Sequence, residues 1–139
     1  MMKAKLLDRT LVIAPVHYTI ATNIDIFNNI LKHLKMTPES DPLKEYSDAR
    51  THFYRYSGDD RSSPKITAVV YLPAELAKKR SIYAVYGLIV HEATHIWQEI
   101  KELLGEDNPS KEFEAYSMQW IAQELMVEYD RQVGITHIT

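Results

Sequence analysis

The residues with the clearest chemical potential in this 139-residue chain lie in the stretch HEATH, His91 to His95. Side chains four positions apart lie on one face of an α-helix, so the imidazoles of His91 and His95 can reach one metal ion. Glu92 lies about 100 degrees further round the helix, where its carboxylate is a poor ligand but can reach a water molecule held by the metal. The spacing therefore predicts a metal site in which Glu92 is the general base.

The same two histidines also have a structural interpretation. The motif is flanked by apolar residues on almost every side, among them Ile89, Ile96 and Trp97. Histidines inside such a helix would need partners, because a buried polar group without a hydrogen bond is destabilising. Two core histidines satisfied by neighbouring carboxylates or backbone groups are the alternative to a metal-binding pair.

The amino-acid composition excludes several kinds of functional site and binding partner. The chain contains no cysteine, which excludes disulfides, thiolate zinc sites and a cysteine nucleophile, and leaves histidine and carboxylate as the strong metal ligands. The formal net charge is -3, and the basic residues are scattered, so we expect no nucleic acid partner. The N-terminus lacks an apolar signal segment, and no stretch reaches the roughly 18 apolar residues of a membrane span. We therefore expect a soluble, cytoplasmic protein that does not bind membranes.

The patterns along the chain predict an α+β fold in a single domain spanning residues 1–139. A hydrophobic fraction of 45% is enough for one core. Residues 11–20 indicate a short strand in which Pro15 favours an edge or a bulge. Residues 21–36 have apolar residues at helical spacing, with Thr22 or Asn23 as the cap. A second short helix is expected to begin after Asp41 and to end before Arg50.

The second half of the chain predicts a hairpin and two long helices. Aromatic and β-branched runs, one from Thr51 or His52 to Tyr56 and one at residues 65–72, flank a segment of turn formers, which is typical of a β-hairpin with a longer loop. The helix that carries the motif is expected from about Ser81 to Leu104, ending at Gly105 in the left-handed conformation. Another helix is expected at about residues 109–129, capped by Asn108 or Ser110.

A catalytic zinc ion needs a third protein ligand if one position is to stay open for water. The metzincin pattern does not supply it, since Gln98 stands where that pattern has glycine and Lys101 where it has histidine. In the last predicted helix, Glu114 lies beside an apolar stripe and so faces the core side of the helix. Glu112 is its competitor, although the helix dipole already explains a carboxylate in the first turn. We expect Glu114 to be the third ligand, with Glu112 as the alternative.

HEATH followed by a second helix with the sequence EFEAY resembles the gluzincin branch of the zincin-like metallopeptidases, and its minimal single-domain members most. Glu, any residue, Glu, Ala is similar to the stretch that supplies the third ligand in the ImmA/IrrE-type peptidases, with Glu114 at the ligand position. Tyr116 departs from that pattern, because those proteins commonly have asparagine there. The chain also resembles small stand-alone HExxH proteins encoded by phages and prophages. The resemblance covers residues 65–123.

The resemblance implies a zincin-like fold, in which a small antiparallel sheet packs on two long helices that carry the metal ligands. It implies Zn²⁺ held by His91, His95 and Glu114, and a metal-bound water activated by Glu92 to hydrolyse a peptide or protein substrate. Residues 65–72 would form the edge strand that binds extended substrate by strand addition. The alternative is a non-hydrolytic zinc-binding protein with a regulatory or phage assembly role.

Two questions stay open at the level of the sequence. The oligomeric state is one of them. The other is the donor to a tetrahedral oxyanion, for which side-chain chemistry allows several candidates: Tyr83, Tyr86, Tyr116, His17, His52 and His137.

Overall fold

The computed structural model describes residues 16–44, 47–56 and 65–135. The predicted α+β class is confirmed, because these residues form three strands, three α-helices and a short 3₁₀ turn. In chain order the elements are β1 (Val16–Ala21), α1 (Ile24–His33), β2 (Arg50–Tyr56), β3 (Lys65–Tyr71), the 3₁₀ turn (Ala74–Lys78), α2 (Ile82–Leu103) and α3 (Lys111–Val133). Within the described ranges, no helix has the length and apolar character needed to cross a bilayer.

The three strands form a mixed sheet in the order β1-β3-β2. β2 and β3 pair antiparallel, which confirms the predicted hairpin strands; their connecting loop lies outside the described residues. The expected all-antiparallel sheet is wrong, because β1 pairs with β3 in parallel. Parallel neighbours need a crossover connection, and here the chain passes through α1 and β2 before it returns as β3. The expectation that β3 is an edge strand is also wrong, since β2 is the edge strand next to it.

Helices cover both faces of this sheet. On one face, alternate side chains of β1 and β3 pack against α2 and α3: Val16, Tyr18, Ile20, Ile66, Ala68 and Val70. On the other face, Ala21, Val69 and Tyr71 pack against α1. Burial on both sides explains the unbroken apolar run of β3 from Ala68 to Tyr71, whereas β1 keeps His17 and Thr19 between its apolar residues. The expected packing of the sheet on two long helices is present, with α1 as an additional layer.

Local signals define both ends of α2 and α3. The Ser81 hydroxyl accepts a hydrogen bond from the backbone N–H of Ala84 at 3.1 Å, and Gly105 follows the helix with a φ of 70°. The Ser110 hydroxyl caps α3 in the same way through Phe113 N at 3.2 Å. Only glycine adopts a positive φ without strain, so Gly134, with a φ of 81°, ends α3. The C-terminal end of α3 therefore lies about one turn beyond the predicted end at residue 129.

In the first part of the chain, two of the three elements predicted from the sequence are present. β1 and α1 are present, and Asn23 caps α1 by accepting from Ile26 N at 2.8 Å; Pro15 lies outside the described residues. The short helix expected after Asp41 does not form in residues 41–44 or 47–49. Asp41 instead accepts a hydrogen bond from the backbone of Lys44 at 3.1 Å, and the positive φ of Lys44, 58°, is incompatible with a continuing helix.

Candidate metal centre

The middle of α2 brings His91, Glu92 and His95 together. One ligand atom from each of the three side chains lies within 4.8 Å of the other two. The two imidazole rings stand edge to face, with centroids 4.9 Å apart. In the part of the chain that the structure describes, no other three histidine or carboxylate side chains form such a group. The HExxH spacing thus gives the expected arrangement of two potential metal ligands and an adjacent carboxylate.

The three side chains differ sharply in exposure. The side chain of His91 is 66% exposed and His95 is exposed as well, whereas Glu92 is buried. The interpretation of the pair as core histidines is therefore wrong, because both histidines are exposed at the surface of α2. Exposed histidines also need no partner to offset desolvation, so the argument for a metal site rests on geometry alone.

A side chain of strand β2 holds the Glu92 carboxylate in place. Its Oε1 accepts a hydrogen bond from the Thr51 hydroxyl at 2.8 Å, and its Oε2 lies 3.8 Å from Nε2 of His91. Thr51 pairs with Val70 in the register of β2 and β3, and Val70 belongs to the core that faces α2. Paired residues share a face of the sheet, so the strand directs the Thr51 side chain at α2.

One of the histidines is also oriented by its own helix. Nδ1 of His95 lies 3.1 Å from the side-chain oxygen of Gln98. Because an amide oxygen only accepts hydrogen bonds, Nδ1 carries the proton and Nε2 is left as the basic nitrogen. A hydrogen bond of this kind fixes both the tautomer and the ring orientation of a metal-binding histidine. From the sequence, Gln98 was noted only as a departure from the metzincin pattern, which has glycine at this position.

An open cleft of 640 Å³ lies over the three side chains. One wall consists of β2 and the segment before it, with Lys44, Arg50 and the half-exposed ring of Phe53. The other wall is α2, which contributes Glu99 and Glu102 beyond the histidines. The site is therefore accessible to a large ligand along the edge strand, and the two walls carry charges of opposite sign.

Glu114, the expected third ligand, is not part of this group. Its Oε2 accepts a hydrogen bond from the indole N–H of Trp97 at 2.8 Å and lies 3.8 Å from Nζ of Lys101. Trp97 follows His95 by two residues, which places it about 200 degrees round the helix. Glu114 thus contacts the side of α2 turned away from the histidines. Glu112 is exposed in the first turn of α3 and does not join the group either.

The oxyanion donors that were considered from the sequence, and that the structure describes, lie outside the cleft. Tyr86 donates to Asp130 at 2.9 Å, and burial together with this carboxylate raises the pKa of Tyr86 to about 12. Nε2 of His52 donates to the Pro42 carbonyl at 2.6 Å on the opposite face of β2. Tyr83, Tyr116 and His17 do not line the cleft either, and His137 lies outside the described residues. The cations at the cleft, Lys44 and Arg50, were not singled out from the sequence.

In comparisons with known proteins, no protein-family model, no curated protein and no solved structure matches the chain. The resemblance to zincin-like metallopeptidases therefore rests on the motif residues of the sequence alone.

Proposed function

We propose that this protein is a zinc-dependent metallopeptidase on a zincin-like scaffold, with Glu92 as the general base. The observation that carries the proposal is the position of Glu92. Glu92 is 4% exposed, and its carboxylate is held by Thr51 and lies beside two exposed imidazoles that open into a cleft. A structural carboxylate would have no need of two histidines placed at ligand spacing beside it.

The group offers two of the side-chain ligands that a zinc ion needs. His91 and His95 would hold the metal through imidazole nitrogens, which are common zinc ligands. A zinc ion bound there supplies two effects, a lower pKa for a water molecule and polarisation of a substrate carbonyl. The task of Glu92 is to take the proton of the attacking water and to pass it to the leaving amine. The hydrogen bond between Nδ1 of His95 and the Gln98 amide favours the tautomer in which Nε2 of His95 is available to bind the metal.

The edge strand supports a peptide as the substrate. Among the described residues, β2 is hydrogen-bonded to β3 on one side only, and its Thr51 and Phe53 line the cleft beside the histidines. An extended peptide can add to such an edge through backbone hydrogen bonds, with its side chains in flanking pockets. We therefore assign to β2 the substrate-binding role that the sequence favoured for β3. Phe53 offers an apolar contact for one substrate side chain.

A second candidate function has its own observation in support. Glu114 is held by Trp97 and Lys101, while an oxygen of Glu92 lies within ligand range of both histidines. If Glu92 were the third protein ligand, the site would bind metal tightly but would lack a base. The protein would then be a non-hydrolytic zinc-binding protein with a regulatory or assembly role.

Replacement of Glu92 by glutamine separates the two functions. The zinc-loaded full chain is assayed against a library of quenched fluorescent peptides, and zinc content is measured on the same samples. For a general base, Glu92→Gln keeps the zinc and lowers kcat about 10²- to 10⁴-fold. Glu75→Gln, an exposed carboxylate on the 3₁₀ turn away from the cleft, is the matched control and retains full activity. Loss of zinc from Glu92→Gln, or zinc-dependent turnover that persists in it, contradicts the proposal.

A further inference from the structure

We infer that Thr51 determines the role of Glu92: its hydroxyl holds the carboxylate as a base and keeps it from becoming the third metal ligand. The inference rests on the proposed metal site. It assigns a positioning function to a residue of the edge strand that is separated from Glu92 by 41 positions in the sequence.

The distances in the site place Glu92 just short of a ligand position. Ligand atoms around a tetrahedral zinc ion, at bond lengths of about 2.0–2.2 Å, lie roughly 3.3 Å from one another. Oε2 of Glu92 is 3.8 Å from Nε2 of His91, and the three ligand atoms lie within 4.8 Å of one another. A rotation of the Glu92 side chain that brings Oε2 closer to the histidine nitrogens would close this gap. Something must therefore oppose that rotation if Glu92 is to act as a base.

The Thr51 hydroxyl is suited to oppose it. Its hydrogen bond to Oε1 is 2.8 Å long, and among the described residues no other side chain or backbone group donates a hydrogen bond to this carboxylate. Threonine is stiff at χ1, and Thr51 sits within the paired part of β2, opposite Val70. The donor is thus held by the sheet, while the carboxylate is held by α2.

Removal of the Thr51 hydroxyl would leave Oε1 of Glu92 without its hydrogen-bond donor. Glu92 is 4% exposed, and a buried acceptor that loses its donor is strongly disfavoured. With Oε1 unpaired, a metal ion at His91 and His95 becomes the nearest partner that can satisfy it. We therefore expect a carboxylate that binds the metal and no longer acts as a base.

The test uses Co²⁺ in place of zinc, because the visible absorption of Co²⁺ reports changes in its ligands. Thr51→Val should alter the Co²⁺ bands, bind the metal more tightly in competition with a chelator, and lower kcat by the order of 10²-fold, as for a displaced catalytic group. Thr51→Ser, which restores a hydroxyl, should return the spectrum, the affinity and most of the turnover to wild-type values. Thr51→Ala removes the same hydroxyl with less bulk in the strand and should reproduce the spectrum of Thr51→Val.

The outcomes separate this inference from the proposed function. A Co²⁺ spectrum and a metal affinity that are the same in wild type, Thr51→Val and Thr51→Ala overturn the inference, whatever happens to turnover. Wild-type protein that binds neither Co²⁺ nor zinc overturns the proposed function and the inference with it. A spectral change that Thr51→Ser fails to reverse also counts against the inference, since the hydroxyl would then not be the cause.

Discussion

Glu114→Ala should lower stability and leave metal binding unchanged, because the structure places this carboxylate against Trp97 and Lys101. The hydrogen bond from the Trp97 indole is 2.8 Å long, and the Trp97 side chain is almost fully buried at 3% exposure. Alanine removes the acceptor and leaves the indole N–H without a partner. The Lys101 ammonium, 3.8 Å away, loses a partner that is itself 42% exposed.

These contacts set the size of the effect. A hydrogen bond to a charged group contributes about 1.5–3 kcal/mol, and partial exposure favours the lower end. The exposed ion pair adds roughly 0.2–1 kcal/mol. We expect the free energy of unfolding to fall by about 2 kcal/mol, which corresponds to roughly 7 °C in Tm for a domain of this length. Glu112→Ala, in the same helical turn, should lose only the dipole interaction of about 0.3–1 kcal/mol.

The assay is urea unfolding of the metal-free variants, followed by circular dichroism, combined with zinc content of the loaded proteins by mass spectrometry. The difference between Glu114→Ala and Glu112→Ala isolates the contacts with Trp97 and Lys101. Zinc lost from Glu114→Ala but kept by Glu112→Ala, with equal stability of the two metal-free variants, would refute the placement of Glu114. It would instead support the sequence-based expectation that Glu114 is the third ligand.

Two further predictions concern stability. In the absence of metal, Thr51→Val should be less stable than Thr51→Ser by about 1–3 kcal/mol in urea unfolding, because the buried Glu92 carboxylate loses its donor; equal stability would mean that the hydrogen bond contributes nothing. Burial lowers the pKa of His52, in part offset by its bond to the Pro42 carbonyl. The unfolded chain therefore takes up this proton first, and stability should fall as the pH drops below about 6.5. His52→Gln should flatten that dependence, and an unchanged slope would contradict it.

Local chemistry explains what the sequence predicted well. The two ends of α2 follow from Ser81 and Gly105, whose capping roles depend on neighbouring residues only. The spacing of His91, Glu92 and His95 depends on helix geometry alone, so their relative positions were predictable once the helix was recognised. The hairpin strands β2 and β3 were predictable for the same reason, because their residue types and flanking turn formers are local signals.

Long-range packing explains what the sequence predicted poorly. The parallel pairing of β1 with β3 depends on where the chain returns to the sheet after it has passed through α1 and β2. No residue in β1 encodes that position. The rotation of α3 about its axis decides whether Glu114 meets the histidines or Trp97, and apolar residues on several faces of α3 allow more than one rotation. Thr51 was missed because its role requires the register of β2 on β3 and the packing of α2 on that face.

Metal binding by His91 and His95, beside a base held by Thr51, underlies both proposals made above. The decisive measurement is the zinc content of the purified, tag-free full chain after incubation with zinc and desalting, compared with that of the His91→Ala, His95→Ala double variant. We expect about one zinc ion per chain in the wild type and none above background in the double variant. No zinc in the wild type, or equal zinc in both proteins, would contradict it.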